Sequence, residues 1–121
     1  MIEDLMNEYL SSAEAAVLVD YSDKNSVRRF NALSDRMRAI VDEVVNLGQD
    51  AISEFAALLE SEPAAMWAAH HLVEKADLDA ATLSKCFARV EQAKIEAEAE
   101  GDLATAMGEE MWLNEWKARR T

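Results

Sequence analysis

The chain has 121 residues, half of them apolar, and carries 12 basic against 24 acidic side chains for a formal net charge of -12. That is the length of one domain, large enough to bury a core without covalent staples. The lone cysteine, Cys86, excludes an internal disulfide, and the negative charge disfavours contact with nucleic-acid phosphates and anionic membrane surfaces.

Three glycines and one proline set against abundant Ala, Glu, Leu and Met favour helix almost from end to end. The expected fold is an all-α single domain over residues 1–121, with five or six helices in antiparallel hairpins. No apolar run approaches the roughly 20 residues of a membrane span. The opening Met-Ile-Glu-Asp is acidic where a secretion signal would be basic, so the expected setting is the cytoplasm.

Ile2, Leu5, Met6, Tyr9, Leu10, Ala13, Ala16 and Val17 recur at spacings of three and four, which predicts a first helix ending near Asp20. Asp23 is placed to cap a second helix whose core face reads Val27, Phe30, Leu33, Met37, Ile40, Val41 and Val44, with Gly48 as its stop. Its basic residues Arg28, Arg29, Arg36 and Arg38 project in different directions, and Arg38 has Asp42 at i+4. They read as a solvated face rather than an anion site.

Asp50 is expected to cap a short third helix with Ala51, Ile52, Phe55, Leu58 and Leu59 on its apolar side. The fourth, Pro63 to Val73, is apolar nearly all round and is expected at the buried centre, with Glu62 as N-cap and Pro63 at the first helical position. Trp67 or its immediate neighbours should be buried there. Asp77 or Asp79 caps a long fifth helix bearing Leu83, Cys86, Phe87, Val90, Ala93 and Ala97, and Gly101 ends it. In the last segment Leu103, Met107 and Met111 share one face and Trp112 and Trp116 lie nearly opposite. A kink at Gly108 or burial between neighbours would accommodate both.

The hairpin from about Asp50 to Lys75 resembles a HEAT repeat, with Pro63 opening its second helix, Ala68 and Ala69 at the tight contact and Leu72 one turn on. It departs from that pattern at Met66, where such repeats often carry an arginine bonded to an aspartate in the turn. Over most of its length the chain is similar to small bacterial HEAT-like proteins grouped as a domain of unknown function. The motifs are F-N-A-L-S-D-R-M from Phe30, the Pro63 hairpin and M-G-E-E-M-W-L-N-E-W from Met107. The resemblance implies a helical scaffold of bacterial origin and transfers no catalytic or binding residue.

Catalytic signatures are sparse. There is no G-x-S-x-G elbow and no glycine-rich phosphate loop, and Cys86 falls on an apolar face where a thiol is inert. His70 and His71, the two histidines, point about 100° apart on a helix and cannot share a metal in the i, i+4 manner. A metal-binding protein or enzyme using His70, His71 and Glu74 is the alternative reading; the leading expectation is a non-enzyme without a cofactor.

From Glu91 to Glu115 eight acidic residues face one basic residue, Lys94. Glu96, Glu98, Glu100, Asp102, Glu109 and Glu110, with Trp112 and Trp116, are the candidate docking residues for a basic protein partner. The chain then reads as an interaction module, with an immunity-type inhibitor of a basic toxin as the sharper form of that expectation. For the tryptophan pair two roles stay open: a clamp holding the last helix on the core, or an exposed aromatic anchor.

Overall fold

Residues 2–120 are described by the computed structural model. They form α1 (Ile2–Ala16), α2 (Lys24–Leu47), α3 (Gln49–Phe55), a 3-10 turn over Ala56–Glu60, α4 (Ala64–Lys75), α5 (Ala80–Ala99) and α6 (Leu103–Arg119), with no strand among the described residues. The all-α class expected from composition is what the chain adopts.

Short side chains that satisfy free amides at helix starts set several of these boundaries. The Asp23 carboxylate accepts from the Asn25 amide at 2.9 Å, Asp79 from Thr82 at 2.7 Å and Asp102 from Thr105 at 3.2 Å. Those bonds hold the Asp79 and Asp102 carboxyls below their usual range. At the other ends, Gly48 and Gly101 take positive φ angles of 106° and 78°, which an L side chain resists.

Three expected boundaries differ. α1 stops at Ala16, short of Asp20, because Asp20 bonds locally: its carboxylate accepts from the Ser22 amide and hydroxyl, and its amide donates to Ser26 Oγ at 2.8 Å. Gly48, which ends α2, also occupies the N-cap of α3, leaving Asp50 in the first turn instead of at the cap. Pro63, after a cis peptide bond, is itself the N-cap of α4. Glu62 is therefore not the cap, and its carboxylate pairs with Arg89 of α5.

α4 sits where the sequence placed it, touching α1, α2, α5 and the 3-10 turn. Ala64, Ala65, Ala68 and Ala69 are buried, and their small size lets the neighbours approach, while Leu72 and Val73 fill the space beyond the last alanine. Trp67 is half-buried and its neighbours Ala68 and Ala69 are fully enclosed. Around this helix the core is Tyr9, Met37, Ile40, Val41, Val44, Phe55, Cys86 and Val90. Burial pushes the Cys86 thiol up to about 12, so it stays protonated and unreactive.

On the surface of α2, Arg36 bridges Glu8 of α1 and Glu43, at 2.8 Å and 3.3 Å. Arg38 pairs with Asp35 at 3.2 Å and not with Asp42, whose carboxylate takes Lys75 of α4 instead. These are solvated pairs and hold little of the fold together.

α6 runs unbroken through Gly108, which is itself exposed. The helix is continuous there and does not lie between neighbours: it packs on α5 and is tied to α4 by side chains, leaving one flank open. One tie is Arg120, whose guanidinium donates to the carbonyls of Val73 and Ala76, closing the end of α4 where unpaired oxygens and the negative end of the helix dipole coincide. Replacing Arg120 with methionine keeps the stem and removes both bonds. The expected loss is about 1–3 kcal/mol in chemical denaturation, charge-assisted bonds to partly buried carbonyls being of that size.

Candidate functional site

The two histidines leave α4 in different directions, as adjacent helical positions must. His71 turns into the core, 4 % exposed, and its Nδ1 lies 2.7 Å from the hydroxyl of Tyr9 on α1. Tyr9 is fully buried and its hydroxyl has no other acceptor among the described residues, so the hydroxyl donates and Nδ1 accepts. The imidazole proton is thereby assigned to Nε2. Burial, helped by the neighbouring Arg38, His70 and Lys75, pulls His71 down to about 4, and burial pushes the Tyr9 phenol well above its ordinary range. Both groups are neutral near pH 7.

His70 points toward α6. Its Nε2 meets the Glu109 carboxylate at 2.9 Å, and its Nδ1 lies 3.9 Å from Glu74 one turn along α4. The Trp112 indole stands edge-on to the imidazole at a centroid distance of 4.2 Å and donates its N–H to the same Glu74 oxygen at 2.8 Å. α4 and α6 are joined by this group of four side chains.

Between them opens a cleft of about 310 Å³, lined by Arg38, Met66, Trp67, His70, His71, Glu74 and Glu109. Arg38 comes from α2, Glu109 from α6 and the other five from α4. Met66 and Trp67 make an apolar floor; Arg38 and the Nε2–H of His71 are donors, and the two carboxylates are acceptors. No group of three or more His, Cys, Asp or Glu among the described residues has the geometry to hold a metal ion. The ring nitrogens explain this: Nδ1 of His71 is taken by Tyr9, and the two nitrogens of His70 face separate carboxylates on opposite edges.

α6 has two apolar faces, and the structure decides which is inside. Trp112 and Trp116 are half-buried against the core, with Trp112 close to Phe87 and Trp116, and the Arg119 guanidinium stacks on Trp116. The opposite face is bare: Leu103, Met107 and Met111 are 68 %, 62 % and 68 % exposed. Of the candidate carboxylates, Glu96, Glu98, Glu100, Asp102 and Glu110 are exposed at the surface, Asp102 doubling as the α6 cap. Glu109 is set apart from them in the cleft, its side chain 14 % exposed.

Sequence reasoning missed Tyr9 and Arg38 as partners of the histidines, because the tyrosine lies 62 positions from His71 and no local pattern joins them. The sequence also showed Leu103, Met107 and Met111 on one face but placed the docking residues on the tryptophan side. No helix among the described residues is long and apolar enough to cross a membrane. Comparison with known families, curated proteins and solved structures finds no match for this chain.

Proposed function

We propose that the chain is a non-catalytic helical interaction module that docks a basic amphipathic helix of a protein partner on the outer face of α6. The observation that carries this reading is the alignment of Leu103, Met107 and Met111 at i, i+4 and i+8, each more than half exposed, on a helix whose other face is engaged. Single exposed apolar side chains are ordinary; three on one line over two turns form the kind of surface that receives the apolar face of a partner helix. Methionine suits it because its flexible thioether adapts to the shape it meets.

Charge selects the occupant. Glu96, Glu98, Glu100, Asp102 and Glu110 lie exposed on α5, α6 and their connection, so a partner with lysine or arginine flanking its apolar face is attracted and an acidic one is repelled. A second copy of this chain, at a net charge of -12, is disfavoured on the same ground. The resemblance of the Asp50–Lys75 hairpin to HEAT repeats, which are scaffolds for protein contacts, accords with this reading.

The test uses a synthetic amphipathic helix of about 18 residues with leucine on one face and lysine on the other. Its fluorescence anisotropy is expected to titrate saturably with the wild-type protein, with association slowing as salt is raised. The Met107→Ser/Met111→Ser double variant should keep its helical circular dichroism and bind at least tenfold more weakly. Equal binding by the double variant contradicts the assignment.

A further inference from the structure

The α2–α4–α6 cleft is a second feature, on a different surface from the docking stripe, and its chemistry does not depend on a partner protein. We propose that it binds a small zwitterion of the α-amino-acid class, with the ligand carboxylate on Arg38 and His71 and its ammonium on Glu74 and Glu109.

The buried histidine presents one fixed donor. Because Tyr9 donates to Nδ1 and burial keeps the ring neutral, Nε2 bears a proton in a fixed direction. That N–H has no protein partner among the described residues, is not sealed from solvent, and belongs to a side chain that lines the cleft. A donor held this way by a largely buried side chain is available to an acceptor in the cleft without reorganisation. Arg38, on the α2 side, uses Nη1 on Asp35 and has no other partner among the described residues, so part of its guanidinium remains for the same acceptor. A carboxylate answers both donors.

The opposite requirement comes from the α4 and α6 sides. Glu74 and Glu109 each use Oε2, on Trp112 and His70 respectively, and their Oε1 atoms have no partner among the described residues. Glu74 and Glu109 thus present acceptor oxygens to the cleft, while Arg38 and His71 present donors. A plain anion would be repelled by the carboxylates. A plain amine would leave the His71 N–H and Arg38 unanswered. A molecule carrying both charges a few ångströms apart satisfies both sides, and Met66 and Trp67 provide the apolar surface for its side chain. The volume of about 310 Å³ is at the small end of ligand sites and suits one amino acid rather than a peptide.

The experiment titrates the full chain with L-phenylalanine, with phenethylamine, which lacks the carboxylate, and with 3-phenylpropionate, which lacks the ammonium. Binding is read from amide and imidazole NMR shifts of α4. L-Phenylalanine is expected to bind saturably, shifting the His71 ring and the Glu109 amide, and both analogues should bind at least tenfold more weakly. Arg38→Gln, at an exposed position that leaves the fold intact, should weaken L-phenylalanine at least tenfold and leave phenethylamine unchanged. Glu109→Gln should weaken phenylalanine and phenethylamine alike. The proposal is overturned if no saturable shift appears at millimolar L-phenylalanine, if either analogue matches the amino acid, or if Arg38→Gln has no effect. The Met107→Ser/Met111→Ser variant should bind phenylalanine as wild type does, which separates this site from the docking face.

Discussion

Truncating Phe55 to alanine is expected to lower the stability of the fold by about 3–5 kcal/mol, measured by urea denaturation followed by circular dichroism. Phe55 is fully buried at the end of α3, and its ring stands edge-on to Tyr9 with centroids 4.8 Å apart. The loss combines transfer of the ring to water, the cavity left in the core beside Tyr9, and the aromatic contact itself. A further effect follows from position: Tyr9 orients His71, so loosening the tyrosine should also broaden the His71 ring signals. A loss below about 1 kcal/mol would mean that the core is not built around this contact.

The second large effect is on pH. An unfolded histidine titrates near 6.5 and His71 in the fold near 4, so its folded value is depressed and the unfolded chain binds the extra proton between those limits. Stability is therefore flat in this group above about pH 7 and falls as pH drops, by about 1.4 kcal/mol per unit, reaching about 3 kcal/mol at pH 4. The Glu8, Asp20, Asp79 and Asp102 carboxyls, held below their ordinary values by hydrogen bonds, add their own losses at lower pH. Urea midpoints between pH 5 and 7 isolate the histidine. His71→Gln should remove most of the slope in that window, and an unchanged slope would contradict the buried neutral imidazole.

How much of this was legible in the sequence depends on the range over which each feature is determined. Asp23, Gly48 and Gly101 act within a few residues of themselves, and their roles could be read directly; the cap of α5 was narrowed to Asp77 or Asp79, and the capping role of Asp102 was not read. The burial of α4 could be read as well, because a helix apolar on nearly every side has nowhere to go but inside. Local competition overrides the simple pattern: Asp20 diverts its bonding to Ser22 and Ser26, and Gly48 takes the cap expected of Asp50.

For the candidate sites the limit is of another kind. The shift of apolar phase in α6 was visible, but period alone cannot say which face meets the core. That choice follows from partners elsewhere: Glu74 receives the Trp112 N–H and His70 receives Glu109, so the tryptophan side is drawn inward and the methionine side is left outside. Adjacent histidines had to diverge, and they do. Their partners, 62 and 39 residues distant, are known only once α1 and α6 are packed on α4.

The central claim, that the outer face of α6 is a docking surface for a basic amphipathic helix, is tested most directly by residue-resolved NMR of the labelled protein titrated with the leucine–lysine helix. Methyl shifts are expected to concentrate on Leu103, Met107 and Met111, with smaller amide shifts at Glu98, Glu100 and Glu110 and little change at Tyr9 or His71. Shifts centred on the cleft residues, or spread evenly over the acidic surface with the methionine methyls unmoved, would contradict it.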